Sequence, residues 1–326
     1  MDHALIPEIF DLFLHAIQDD ESFLYLNAVQ GLAQMAMSWR DAVLRPLMAM
    51  YVGGDKTQDG MSHALSYGQE LTQRETDQRL RIGEAILQVL QHLGEAVVSE
   101  LDRIVPPLLT AVRNPLFSAT LRSSFISILG TCVEIAPTAL AADRSSVHMV
   151  HMCTELIQAT TERRAIRQRS RVRASVQGVG AGSEVTERSL DDEDEEEAMW
   201  EREATSGTDR DVHRPQLRRA ALLLLLMLLR ATQEQLDDYR ESCERDLDDI
   251  DAPLSALRLP GGGVLPDVHG RAKPTLPPLL VPVDVLGSVM PVVTYMAQEE
   301  ADNVVRVQAQ DCIDHIRLVE LAYIGL

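Results

Sequence analysis

The strongest constraint on this chain is a pattern that returns along it: an aliphatic residue, usually with an Arg directly after it, and a small or apolar residue four places on. It stands at Leu80-Arg81, Leu121-Arg122, Leu217-Arg218 and Val305-Arg306. Asp19 to Ala36, DDESFLYLNAVQGLAQMA, carries a related version in which Leu24, Ala28, Gly31, Leu32 and Met35 fall at three- and four-residue steps. That spacing puts them on one face of a helix. Ser22 has a side-chain oxygen that can cap the free N–H groups at such a helix's start. Ala28, Gly31, Ala221 and Ala309 are small enough to admit a neighbouring helix, and all four are expected at helix–helix contacts.

Each copy follows a second apolar segment: Ile6 to Ile17, Ala42 to Tyr51, Leu101 to Val112, Val147 to Ala159 and Val285 to Met296. Paired helices that cannot bury their apolar faces alone predict an all-α fold, a HEAT- or armadillo-like α-solenoid of about five helix pairs with a disordered charged insertion. Pro106, Pro107, Pro137 and Pro291 fall where such helices begin, end or kink.

Composition agrees. The 326 residues are 45% hydrophobic and only 4% aromatic, enough for a sizeable core built mostly of aliphatic side chains. A formal charge of -20 argues against direct nucleic-acid binding, which needs positive surface to displace counterions, and favours protein partners. Cys132, Cys153, Cys243 and Cys312 form no CxxC pair and are expected as thiols in a reducing compartment. The acidic first twenty residues do not resemble a signal peptide. The apolar run Ala220 to Leu229 has ten residues, whereas a membrane span needs about twenty. It is expected in the core, with no membrane contact.

Two interruptions organise the chain. Helical repeats are expected over 1–162, a disordered insertion over 163–213, a helical segment over 214–252, a Pro/Gly-rich loop over 253–282 and a last helical repeat over 283–326. The insertion runs from Arg163, Arg164, Arg167, Arg169, Arg171 and Arg173 through glycines to the acidic block Asp191 to Glu197, with little to bury. The arginines suit either a nuclear import signal or internal neutralisation of the acidic block. Ser189 resembles an acidic-directed kinase site. A shorter polar loop spans Gly53 to Gln73.

DDESFLYLNAVQGLA, followed by the Ala42 to Tyr51 helix with its terminal Tyr, resembles the signature of a fungal family required for nuclear transport of RNA polymerase II. Its animal relatives are called transport and Golgi organisation proteins. The likeness to the family's first C-terminal domain covers roughly 5–115; Arg214 to Leu229 is similar to its second C-terminal domain, and 285–326 suits its last repeat. The resemblance implies a C-terminal piece or shortened product of a longer repeat protein. It also implies an adaptor for polymerase II subunits, assembly chaperones and nuclear-pore or import factors, cytoplasmic and shuttling to the nucleus. A secretory-pathway role at the Golgi or endoplasmic reticulum is the alternative.

No catalytic set stands out, and no enzyme activity and no cofactor are expected. His148, His151 and Cys153 offer zinc-type ligands, but a helix turns the thiol away from the two imidazoles and no fourth ligand is evident; no metal is expected. Gly261, Gly262 and Gly263 lack the Lys-Ser/Thr of a phosphate-binding loop. Asp311 and Asp314 form a solvated helix face. The candidate partner-binding residues are Arg81, Arg122, Arg218 and Arg306, which either line a surface for acidic partner segments or pair internally and orient the stack.

Overall fold

The computed structural model describes residues 5–19, 21–53, 71–158, 215–248 and 276–325, and every regular element among them is helical. The helices are α1 (Leu5–Ile17), α2 (Ser22–Ser38), α3 (Arg40–Val52), α4 (Gln73–Leu93), α5 (Leu101–Arg113), α6 (Ala119–Ile135) and α7 (Pro137–Ala142). After them come α8 (145–158), α9 (Pro215–Asp248), α10 (Val283–Glu299) and α11 (Asn303–Ile324). A 3-10 turn, Gly94–Glu100, links α4 to α5. The expected insertion over 163–213 lies outside the described residues, as do most of the Pro/Gly-rich loop and of the Gly53 to Gln73 loop.

Contacts between the helices define two rows. α1 packs on α2, α3 on α4, α5 on α6 and α10 on α11; the second helices then meet one another in the order α2, α4, α6, α9, α11. α8 joins through buried Met149, Val150, Met152, Cys153 and Ile157, and through Arg113 of α5, which donates to both carboxylate oxygens of Glu155 at 2.7 and 3.4 Å. One continuous apolar core runs the length of the rows, from Phe10 to Val319. The run Ala220 to Leu229 lies within it except at its outer edge, where Leu223 is exposed.

Small residues set the closest approaches. Ala28, Ala221 and Ala309 are buried at 2%, 0% and 0% exposure, so any larger side chain there would push α2, α9 or α11 off its neighbours. A Cβ on Gly31 would lie 2.4 Å from the Phe13 ring of α1, and one on Gly83 would lie 2.6 Å from the ring of Tyr51. Tyr51 is fully buried, shares a hydrogen bond with Ser124 Oγ at 2.7 Å and meets Phe125 edge-on with ring centres 4.7 Å apart. One side chain thus joins α3, α4 and α6.

Two local expectations need correction. Ser22 is the first helical residue of α2 and caps nothing; Glu21 holds the cap position, and its N–H is taken by the Asp19 carboxylate at 2.9 Å. Leu24 is 41% exposed, because burial along α2 begins only at Ala28, where the small side chains admit α1 and α4. Of the four prolines, Pro137 opens α7, where its missing N–H costs nothing. Pro106, Pro107 and Pro291 sit inside α5 and α10. The clearest helix start is Thr72-Gln73-Arg74-Glu75. There Thr72 Oγ1 accepts from Glu75 N, and the Glu75 carboxylate accepts from Thr72 N at 2.8 Å.

The connection before α10 is irregular over 276–282 but ends in the core. Leu280 and Val281 are fully buried, and their N–H groups donate to Gln235 Oε1 at 2.9 Å and Thr232 Oγ1 at 3.0 Å. Thr232 in turn donates to Leu228 O at 2.7 Å, so a buried turn of α9 replaces the strand or helix partner this backbone lacks.

Gly83→Ala and Gly130→Ala should separate. The Tyr51 ring is held by Phe125 and Ser124 and has nowhere to go, so overpacking costs about 1–3 kcal/mol. Gly130 faces the flexible end of Met227, at 3.2 Å, with Leu224 at an ordinary 4.0 Å, and the gain in helix propensity leaves Ala there neutral or slightly stabilising. Urea midpoints of the two variants check this; equal midpoints would remove the Tyr51 junction from the account.

Candidate interaction surface

The repeat arginines are placed by an electrostatic rule. The last carbonyls of a helix have no intrahelical donor and carry the negative end of its dipole, so a cation from a neighbouring helix is favoured there. Arg122 of α6 is 4% exposed and donates from Nε to Val112 O, at the next-to-last residue of α5, at 2.7 Å. The equivalent of that contact one pair earlier is made by Arg79, whose Nη1 donates to Tyr51 O, at the next-to-last residue of α3, at 3.2 Å. The same guanidinium sits 5.5 Å from the centre of the Phe117 ring, a cation–π distance. Arg81, two places on, instead reaches back to the α1–α2 turn and donates to Gln18 O and Asp19 O at 3.1 and 2.8 Å.

Arg218 and Arg219 reach forward. Arg218 pairs with Glu300 in the α10–α11 turn, their side chains 8% and 4% exposed, and Arg219 pairs with Asp302. Glu300 Oε1 also accepts from Ala301 N at 3.0 Å. Asp302 caps α11 by accepting from Val304 N and Val305 N at 2.9 and 3.1 Å. The Arg219 hydrogen bond, then the Val305 N–H, holds its carboxyl below the usual range. Arg306 is exposed and pairs with Asn303 on its own helix. Of the four arginines singled out by pattern, three thus tie the helix rows together and one faces solvent. Arg79 lies outside the pattern because the repeat aligns on Arg81, and no local spacing in the sequence points to it.

The zinc-type ligands of α8 do not converge. His148 and His151 face solvent while Cys153 is fully buried, its thiol pushed up in pKa by burial. Burial likewise pushes the Cys132 and Cys312 thiols up to about 12, which makes them inert at neutral pH. Among the described residues no three His, Cys, Asp or Glu side chains group as metal ligands, and no helix is long and apolar enough to cross a membrane.

Between α3 and α5 lies an open groove of about 510 Å³, with Leu44, Met48, Val52 and Ile104 as its floor and Arg45, Glu100 and Arg103 at its rim. Arg103 is itself paired with Asp41 and with Glu100, at 3.3 Å for the latter. An apolar floor with a mixed-charge rim suits a peptide side chain inserted from a partner.

Packed helices around one apolar core make this a protein of the all-helical class over the described residues. Residues 1–96 match the family described as required for nuclear transport of RNA pol II, C-terminus 1. The match spans α1 to α4 and ends in the 3-10 turn before α5. No solved structure matches the chain.

Arg218→Met should destabilise the fold by about 3–5 kcal/mol, since it leaves the Glu300 carboxylate buried without its cation. Adding Glu300→Gln removes the charge yet keeps an acceptor for Ala301 N–H, and should restore part of the loss in denaturant titration. The Asp302 carboxyl titrates lower in the folded than in the unfolded chain, so its contribution is complete above the ordinary carboxylate pKa and fades as pH falls through the lowered value. Asp302→Asn should therefore flatten part of the acid limb of stability against pH, measured as urea midpoints across an acid series.

Proposed function

We propose that the chain is a non-enzymatic adaptor of the HEAT/armadillo-like solenoid class that acts in RNA polymerase II assembly and nuclear import. The carrying observation is the family match over residues 1–96, on the helices whose contacts begin the two rows. The row order α2, α4, α6, α9, α11, with a partner helix packed on α2, α4, α6 and α11, supports the solenoid reading. Stacked pairs of this kind present long surfaces of modest relief, which suit large protein partners better than small substrates. Polymerase II subunits, their assembly chaperones and nuclear-pore or import factors are the partners this reading names. It assigns the protein to the cytoplasm with shuttling into the nucleus.

With a net charge of -20, partners contribute the basic side of the contact, and their binding weakens as salt screens exposed charges beyond a Debye length of about 8 Å. Depletion of the protein in its host, followed by imaging of the largest polymerase II subunit, tests the role. Cytoplasmic accumulation of that subunit is the expected result. A normally nuclear polymerase with disturbed secretion would overturn it in favour of a membrane-traffic role.

A further inference from the structure

Gly94–Glu100, between α4 and α5, is a 3-10 run of seven residues, longer than the poorly aligned hydrogen bonds of that helix usually sustain. Gly94 enters it with a φ of 52°, and Val97 is the one residue of the run that is buried. Val98 and Ser99 face solvent. A single apolar anchor therefore holds the run between two firmly packed helices, and segments of that kind open locally at far lower cost than the helices they join.

Ser99 opens the sequence Ser99-Glu100-Leu101-Asp102. A kinase with a basic substrate cleft selects hydroxyls followed by carboxylates, above all at the third place on. Among the described residues four hydroxyls have a carboxylate at that place: Ser38, Thr72, Ser99 and Thr131. Thr131 is buried, and Thr72 commits its hydroxyl to the capping box that starts α4. Ser38 and Thr72 also have Arg40 and Arg74 inside the window, cations that such a cleft repels. Ser99 alone is exposed, acidic at the first and third places, and without a cation between them.

A cation already sits on that hydroxyl. Arg40, the first residue of α3, donates from Nη1 to Ser99 Oγ at 3.1 Å and to Ala96 O at 2.9 Å, and it has no carboxylate partner among the described residues. Ser99 Oγ is in turn 3.3 Å from Ala96 O and 3.4 Å from Glu100 Oε1, and the Glu100 carboxylate has Arg103 to pair with at 3.3 Å. We propose that Ser99 is a phosphorylation site for an acidic-directed Ser/Thr kinase, and that the Arg40 guanidinium receives the phosphate. The γ-phosphoryl group of ATP passes to Ser99 Oγ: the new P–O bond forms, the bond to the β-phosphate's bridging oxygen breaks, ADP leaves, and the hydroxyl proton goes to the kinase's general base. The neutral hydroxyl becomes a group of about -1.5 to -2 charge, and its hydrogen bond from Arg40 becomes a charge-assisted one that fastens the 3-10 run to the start of α3. Glu100 and Arg103 belong to the rim of the α3–α5 groove, so the same phosphate turns one edge of that groove acidic.

Phosphopeptide mapping of the full chain purified from its host under phosphatase inhibition is the first test. Phosphate on Ser99 is the expected result, and a Ser99 peptide recovered only unmodified overturns the proposal. The folded full chain is then treated with an acidic-directed Ser/Thr kinase and ATP, with modification of Ser99 and of Ser189 followed separately by mass spectrometry. Asp102→Asn should slow modification of Ser99 about tenfold and leave Ser189 unchanged. Modification of Ser99 only after denaturation, or at an equal rate in Asp102→Asn, overturns the kinase assignment. Phosphorylation should raise the thermal midpoint of the wild type by about 2 °C, and by less at high salt. Ser99→Ala treated in the same way shows no rise, which separates Ser99 from other modified sites. Arg40→Gln, once phosphorylated at Ser99, shows none either; a rise equal to that of the wild type overturns the role given to Arg40. None of these outcomes bears on the polymerase reading, which rests on the family match.

Discussion

The fit of Tyr51 over Gly83 is the constraint on which the first half of the molecule depends. A phenol has to be taken out of water at the point where three helices meet. That succeeds because Gly83 leaves room for the ring, Phe125 meets it edge-on and Ser124 satisfies its hydroxyl. Burial pushes the Tyr51 hydroxyl's pKa up, so it remains a neutral hydrogen-bonding group at any physiological pH. The junction fixes the distance between α3 and α4 and the seat of α6 at once. It also crosses the edge of the family match, since Tyr51 and Gly83 lie inside residues 1–96 and Ser124 and Phe125 beyond them. The matched helices are therefore packed as one body with α6.

Polar ties then lock the rows in register. Apolar burial is non-directional and would tolerate a helix sliding by a fraction of a turn. A guanidinium seated on the carbonyls at a helix end would not, and Arg79, Arg81 and Arg122 all occupy such seats. At the other end the buried Arg218–Glu300 pair and the Arg219–Asp302 pair fix α9 to the turn that starts α11. These arginines are committed to the fold, which leaves the α3–α5 groove and the polar open faces of the inner helices as the surface available to partners. The buried thiols, the buried arginines and the Tyr51 phenol all belong to the packed interior of the stack.

Much of this architecture is legible in the sequence, because helical periodicity and small-residue spacing are local properties. The apolar segments that begin at Ile6, Ala42, Leu101, Val147 and Val285 lie in helices over their described residues, and Ala28, Ala221 and Ala309 are all buried. Less is legible wherever a side chain's role depends on which neighbour happens to lie beside it. Ser22 and Leu24 depart from expectation because neither capping nor burial at the first turn of α2 follows from the turn's own residues. Arg79 and Arg81 are only two places apart, yet the repeat marks Arg81 alone. The end of α3 lies within reach of one and the α1–α2 turn within reach of the other, and no local spacing distinguishes those two seats.

The sequence by itself determined that the described residues are helical, that their core is aliphatic, and which family the first helices resemble; each rests on residue types at fixed short spacings. Tertiary structure alone decided which carbonyl each arginine satisfies, and that Leu280 and Val281 enter the core on the polar groups of α9. The reason is physical. A periodic face states that a helix must be covered, whereas its cover is settled only when every other helix has competed for the same surface.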